Sequence, residues 1–300
     1  MTGLLETVNW FDVWFLQLIQ SALSPWLVSL ALAITLLGNP LLWILVAIAV
    51  YWHGRETESF YLMNIALFSS IVVGALKLAI ARPRPNPEIF NAIATDTYTG
   101  LSFPSGHSAL IAAYWAYLRK FLDKKKDTLF LAVVLLVGLS RIYLGVHFLS
   151  DVIAGIVFGI AIGRWNIWLK EKVTNSHFKP SKLFDSLIIA GILLFSLLAL
   201  SFLESIPLAA VFLGFYAGFF LSKEFNLIVE NLSFRTGMIR TIVGFAGIAI
   251  ILLLLPSITS ISLPSQEFGA TRTFLLLGLV GFWGSFLFPL LCSKFGKPRA

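Results

Sequence analysis

Apolar runs recur along almost the whole chain and are broken only by short polar connections. The runs at 21–37, 40–53, 60–81, 105–122, 128–146, 149–169, 184–203, 206–222, 239–255 and 273–292 predict ten candidate membrane spans. Several fall short of the ~20 residues a helix needs to cross the hydrocarbon core. Ahead of them, Leu4, Leu5, Val8, Phe11, Phe15, Leu18 and Ile19 recur at helical spacing, with Glu6, Asn9, Asp12, Gln17 and Gln20 elsewhere. This pattern over residues 1–20 predicts an amphipathic helix lying in the membrane interface, or else a plain extension of the first span. Glu6 and Asp12 are the only charges before the first long run, so the basic start of a cleavable signal is missing and the segment is expected to be retained.

Composition sharpens the class. The 300 residues are 58% hydrophobic and 12% charged, with a mean hydropathy of +0.88, far from the balance of a soluble domain. The fold expected is an all-α integral membrane protein without a soluble domain. The net charge of +7 does not point to nucleic acid, because the positive residues sit in short loops between spans, where cytoplasmic orientation and anionic headgroups account for them. Cys292 is the only cysteine, which excludes an intrachain disulfide and leaves passive packing as its expected role.

Orientation follows from the distribution of Lys and Arg. The connections around 51–59, 119–127, 164–183, 223–240 and the tail 293–300 carry 17 of the 22 basic residues, so these loops and both termini are expected to be cytoplasmic. The five exceptions are Lys77, Arg82, Arg84, Arg141 and Arg272. Snorkelling explains Arg272, but four cations crowded at the ends of two spans on the opposite face mark a site for an anionic group.

The same face collects His107 and His147, two of the four histidines, with Ser105, Ser140 and Asp151. In Arg82-Pro83-Arg84-Pro85 the prolines end the third span, which leaves Lys77 about one turn from a helix end. Pro104-Ser105-Gly106-His107 opens the next span, so unpaired backbone N–H groups and the positive end of a helix dipole meet at a Gly-containing turn. Alone, this tetrapeptide reads equally as a Ser-capped helix start. After Ser140-Arg141, His147 and Asp151 are four residues apart on one helix face. There the carboxylate can fix the imidazole tautomer and leave the other nitrogen free as nucleophile or base. No acidic cluster or His/Cys cluster with ligand spacing accompanies them, so no metal and no cofactor is expected.

Taken together, these segments resemble the type 2 phosphatidic acid phosphatase (PAP2) superfamily, with its membrane lipid phosphatases and soluble haloperoxidases. The family's three ordered motifs match Lys77 through Arg84-Pro85, Pro104 to His107, and Ser140-Arg141 through His147 to Asp151, with no specified position departing. The resemblance covers about residues 20–169. It implies a six-helix core over 21–169 with its site at the non-cytoplasmic surface. It also implies that His147 takes the phosphoryl group as nucleophile, that Asp151 holds its ring, and that His107 is the acid and then the base. Lys77, Arg84, Arg141, the Ser105 hydroxyl and backbone N–H groups near Gly106 would bind phosphoryl oxygens. Arg82 is not selected by the family spacing and is left facing headgroups or substrate.

The expected substrate is a lipid phosphate or pyrophosphate: a polyprenyl pyrophosphate, phosphatidate, phosphatidylglycerophosphate or sphingoid phosphate. The alternatives are a phosphatase for a soluble phosphate such as a hexose phosphate, a lipid or anion transporter using the same cations, and a phosphotransferase. The connection 86–103 reads equally as a substrate lid or an ordinary surface loop. Residues 184–292 form a C-terminal transmembrane extension of about four further spans that carries no second catalytic set. Gly191, Gly214, Gly218, Gly244, Gly247, Gly278, Gly281 and Gly284 suit close helix packing there, or an oligomer interface.

Overall fold

The apolar runs fold into helices, and no strand occurs among the residues that the computed structural model describes, namely 2–22, 24–90, 92–93, 100–175, 191, 206–227, 232–262 and 269–295. The helices are α1 (Thr2–Ala22), α2 (Val28–Thr35), α3 (Pro40–Trp52), α4 (Glu56–Ile80), α5 (Gly106–Leu118), α6 (Lys124–Tyr143), α7 (Leu149–Asn175), α8 (Ile206–Glu224), α9 (Phe234–Ser262), α10 (Gly269–Phe282) and α11 (Phe288–Phe295). A π-helical turn at Trp283–Leu287 joins the last two. Among the described residues four helical stretches are long and apolar enough to cross a membrane: Glu56–Ile80, Leu149–Asn175, Phe234–Leu253 and Thr271–Ser293. Their outward residues, such as Ile153 and Val157 on α7 or Ile242 and Leu253 on α9, are exposed and apolar, as in a multi-pass integral membrane protein.

The ten expected spans are therefore not ten full-length helices. Across 21–37 the chain is broken at Pro25, which lacks the N–H to continue α1 and holds Ser24 extended at φ −66°, ψ 141°. Beyond the break lies the eight-residue α2, flanked by 3-10 turns. The 40–53 run is the 13-residue α3, about 20 Å long and too short to span alone. The 184–203 run (Gly191 excepted) and the loop positions 91 and 94–99, with Asp96 and Tyr98, lie outside the described residues. His177 lies outside them too.

The chain divides into two compact units, one made of residues 1–43 and 64–177 and the other of 44–63 and 178–300. In the first unit α5 lies along α7. Every residue of α5 from Ser108 to Tyr117 is buried, and small side chains at Ala109, Ala112, Ala113 and Ala116 face a stripe of Gly155, Gly159 and Gly163. The approach requires glycine: a Cβ at these three positions would stand 2.5, 2.1 and 2.3 Å from the backbone oxygens of Ser105, Ala109 and Ala113. Between lipid-solvated helices the hydrophobic effect offers little, and close backbone contact of this kind supplies the attraction. On the other side of α5, Ile111 and Trp115 pack with Val134 and Val137 of α6, and the Trp43 ring stacks on Tyr114 at 3.9 Å.

α1 corrects an expectation about its polar face. Trp10, Phe11, Trp14 and Leu18 are exposed, whereas Leu16 and Asp12 are buried, Asp12 to 1% exposure. Asp12 thus points into the protein, where a carboxylate needs partners of its own.

In the second unit α8 and α10 cross at backbone contact, with a Cβ on Gly281 placed 2.2 Å from Val211 O. Gly214, Gly218, Gly244, Gly247 and Gly284 are likewise closely approached, but Gly191 meets nothing within 4 Å among the described residues. The indole N–H groups of Trp52 and Trp283 donate to Gly284 O at 2.7 Å and Gly244 O at 3.1 Å.

Candidate active site

The site is assembled in the first unit from three chain segments. α4 ends where Ala81 adopts a left-handed φ of 50° while its N–H still bonds Lys77 O at 2.8 Å. Arg82 to Pro85 then run without helix, as the prolines demand. The returning segment before α5 is tied to this stretch: Ser102 N–H donates to Arg82 O at 2.8 Å, and Lys77 Nζ donates to Leu101 O.

Ser105 caps α5. Its side chain accepts from Ser108 N–H and exchanges a 2.9 Å hydrogen bond with the Ser108 hydroxyl, so the hydroxyl is directed into the helix cap, and the residue is fully buried. Its N–H donates to Asp151 O at 3.0 Å. This bond, with the glycine stripe, holds the start of α5 on the start of α7. Gly106 has only Val73 nearby, 3.6 Å from where a Cβ would stand. His107 follows on the first turn, with Gly38 pressed against its Cβ. It lies within electrostatic reach of Arg141, His147, Arg84 and Lys77.

The third segment begins at the end of α6. Gly145, at φ 70°, closes the helix, and its N–H bonds Ile142 O at 2.9 Å, the left-handed termination that glycine permits. Ser140 turns its hydroxyl back to Val137 O at 2.7 Å. Arg141 is buried and donates through Nη1 to the Thr35 hydroxyl of α2 at 2.8 Å. In the turn between α6 and α7, His147 is 2% exposed.

The imidazole is held from both sides. Arg84 Nη1 stands 3.3 Å from Nε2 and also donates to Val146 O at 2.9 Å. A guanidinium can only donate, so Nε2 is the lone-pair nitrogen and Nδ1 carries the proton. Nδ1 faces Asp151 Oδ2 at 3.4 Å, within ion-pair range and longer than a good hydrogen bond. Burial first of all, with Arg84 and Arg141 adding to it and Asp151 opposing, pushes His147 down to about 3, so the ring is neutral at physiological pH.

Asp151 is itself enclosed, with no exposed side-chain surface. Oδ2 accepts from Phe148 N–H at 2.8 Å and from the Ser102 hydroxyl, while Oδ1 accepts from Arg82 Nη1 at 2.8 Å. Arg82 therefore does not face headgroups: its other nitrogen binds Asp12 Oδ2 at 2.7 Å, and its guanidinium lies 4.2 Å from the centre of the Phe148 ring.

Lys77, Arg84, Arg141, His107, His147 and Asp151 are thus brought to one place, while the Ser105 hydroxyl is turned into its helix cap. Sequence reasoning missed Asp12, Thr35, Ser102 and Ser150, all buried or partly buried partners of motif residues. The glycine stripe was legible as a four-residue spacing, and a carboxylate inside an apolar N-terminal run was itself a hint. Among the described residues no group of three or more His, Cys, Asp or Glu could hold a metal ion.

The PAP2 superfamily model matches residues 58–175, and the model of the transmembrane extension of PAP2 superfamily phosphatases matches 206–299. A lipid A 1-phosphatase of Rhizobium etli is 33% identical over 120 residues, which are 38% of this chain and 48% of that protein. The chain thus spans about half the length of this relative. A decaprenylphosphoryl-5-phosphoribose phosphatase of Mycobacterium tuberculosis is 32% identical over 153 residues, 48% of this chain and 82% of that protein. The crystal structure of a transmembrane PAP2-type phosphatidylglycerolphosphate phosphatase from Bacillus subtilis aligns with a TM-score of 0.48 at 28% identity, over 58% of this chain and 90% of that one. With the superfamily model over 58–175, the extension model over 206–299 and a 32% identical relative matched over 82% of its length, the chain belongs to the PAP2 superfamily.

Proposed function

We propose that this protein is a membrane phosphatase that hydrolyses a lipid phosphate or diphosphate through a phosphohistidine on His147. The observation that carries the reading is the environment of that ring. Its Nε2 lone pair is aimed at a guanidinium, its Nδ1 proton faces a buried carboxylate, and Arg84 and Arg141 act on it electrostatically, with Lys77 in reach of His107. An anion that displaces the Arg84 contact from Nε2 meets both a nucleophile and the charges that stabilise an in-line transition state.

In the first step Nε2 attacks phosphorus, the bond to the leaving oxygen breaks, and His107 gives that oxygen its proton. The developing imidazolium is stabilised by Asp151. In the second step neutral His107 takes a proton from water, the hydroxide attacks the phosphohistidine, and the P–N bond breaks to release phosphate and free His147. Lys77, Arg84, Arg141 and N–H groups near Gly106 bind the phosphoryl oxygens. With Ser105 committed to its cap, its hydroxyl acts by ordering that helix start. A cluster of guanidinium and ammonium groups repels a divalent cation, so the reaction proceeds without one.

A lipid-borne phosphate is favoured by the apolar helices around the site and by the names of the relatives, which act on lipid A and on a decaprenyl-linked phosphate. The site faces the non-cytoplasmic side and the C-terminal tail faces the cytoplasm, by the bias of basic loops; α1, whose Asp12 is bonded at the start of α7, lies on the side of the site, against the expectation of a cytoplasmic N-terminus. Residues 21–169 are the catalytic core, residues 1–20 its N-terminal helix, and 184–292 a C-terminal transmembrane extension whose glycines pack within the chain.

The test is phosphate release by purified protein in detergent with EDTA present. The panel covers phosphatidate, phosphatidylglycerophosphate, polyprenyl diphosphate and sphingoid phosphate, with glucose 6-phosphate as the soluble comparison and His147→Ala as control. Release from a lipid substrate that the control abolishes is the expected result. Equal silence of wild type and control refutes the reading, and preference for the sugar phosphate moves the substrate to the soluble class.

A further inference from the structure

Asp12 sits on α1, outside all three motifs, yet it is as buried as the site itself. Its Oδ1 accepts the Ser150 backbone N–H at 2.9 Å, and its Oδ2 accepts Arg82 Nη2 at 2.7 Å and the Ser150 hydroxyl at 2.5 Å. The same Ser150 hydroxyl accepts from Arg82 Nη1 at 2.6 Å, and Nη1 reaches Asp151 Oδ1 at 2.8 Å. The result is a closed chain of alternating charge running from Asp12 through Arg82 to Asp151, with Asp151 Oδ2 facing His147 Nδ1. Arg82 stacks on Phe148, the residue next to His147.

A buried carboxylate is costly unless it is paired and hydrogen-bonded. Asp12 fills its acceptor capacity on one side of Arg82 and on the first turn of α7, so α1 is fixed against the helix that carries Asp151. The electrostatic consequence is specific. An uncompensated Arg82 would neutralise Asp151 and weaken its hold on a developing imidazolium, and Asp12 offsets that charge.

We propose that Asp12 is a positioning residue for the phosphoryl-transfer histidine, acting through Arg82 and Ser150 to set the orientation and effective charge of Asp151. The inference rests on the reaction proposed above and extends it to the N-terminal helix. Asp12 touches neither phosphate nor the reacting nitrogen, so its loss acts on turnover and not on substrate binding.

The experiment measures steady-state kinetics and thermal midpoints of the purified full chain on the fastest lipid phosphate of the panel. Asp12→Asn keeps the shape and removes the charge, and is expected to lower kcat roughly tenfold or more with KM within about twofold, since it disturbs an oriented group at one remove. Asp12→Asn/Arg82→Gln removes both charges and is expected to recover part of the lost kcat. A scaffold without an electrostatic role would instead make the double variant worse than the single. A wild-type kcat in Asp12→Asn, a KM that rises in proportion to the kcat loss, or a double variant below the single overturns the proposal. If Asp12→Asn does not fold, Ser150→Ala decides: it keeps both charges and removes the bridging hydroxyl, and an unchanged kcat overturns the proposal. A wild type inactive on the whole panel overturns the proposed function and this inference with it. An active wild type with an unaffected variant set overturns the inference alone.

Discussion

Gly155 is the point at which helix packing and chemistry coincide, and Gly155→Ala tests their connection. The added Cβ would stand 2.5 Å from Ser105 O, 3.2 Å from Ala109 N and 3.2 Å from Ser108 Cβ. The first distance is about 1 Å short of van der Waals contact, and the obstacle is backbone, which cannot rotate away. α5 and α7 must therefore separate by an appreciable fraction of an ångström, at the level where Ser105 N–H bonds Asp151 O. Overpacking of this kind costs roughly 1–3 kcal/mol of stability. Under the proposed mechanism, a displacement of about 1 Å between His107 on α5 and Asp151 on α7 costs on the order of a hundredfold in rate. Gly163→Ala is the control, because its Cβ meets Ala113 O at 2.3 Å but lies about two turns farther along α7. Both variants are expected to lower the thermal midpoint in detergent by a few degrees. Only Gly155→Ala is expected to lower kcat/KM for the lipid phosphate by about a hundredfold, with Gly163→Ala within a few-fold of wild type. Equal losses of kcat/KM in the two variants, or a Gly155→Ala protein with wild-type kinetics, would refute the reasoning that backbone contact at Gly155 sets the site.

The same geometry sets three further outcomes. Arg84→Ala is expected to reduce kcat/KM by about 2–4 kcal/mol of transition-state stabilisation, and Arg84→Lys to recover only part of it, since an ammonium lacks the planar fork that can hold Val146 O and still present N–H groups to phosphoryl oxygens; full recovery by Lys would show that charge alone matters. His147 is held down to about 3 by burial, so the unfolded chain takes up a proton below its ordinary value while the folded ring does not, and stability falls as pH drops from about 6.5 toward 3. His147→Gln is then expected to show a shallower decline of the thermal midpoint between about pH 7 and pH 5 than wild type, and parallel curves would contradict the burial of a neutral ring. Gly281→Ala, whose Cβ would lie 2.2 Å from Val211 O, is expected to lower the thermal midpoint by forcing α8 and α10 apart, and an unchanged melt would exclude tight packing of that pair.

The apolar periodicity and the paired prolines announced helices, a membrane setting and the end of α4, because each of these depends on a residue and its immediate neighbours. Lys77, Arg84, His107, Arg141, His147 and Asp151 were legible for a different reason: basic residues against the topological bias, and a His/Asp pair four residues apart, are anomalies within a hydrophobic chain. Helix lengths were less legible. The run 21–37 has the composition of a span, but the interruption at Pro25 and the 3-10 turn ending at Gly38 divide it.

By itself, then, the sequence determined the class of fold, the members of the charged cluster and the local helix stops, all consequences of short-range covalent and conformational constraints. Only the tertiary structure decided how the cluster is wired. Asp12 and Arg82 are separated by 70 residues, and nothing in either segment names the other. Arg141 finds Thr35 across 106 residues, and Ser105 pairs its backbone N–H with Asp151 O at the start of another helix. Such pairings arise because a buried charge or hydroxyl must find a partner wherever packing brings one, and which partner that is depends on helices meeting at Gly155, Gly159 and Gly163 with no side chain between them.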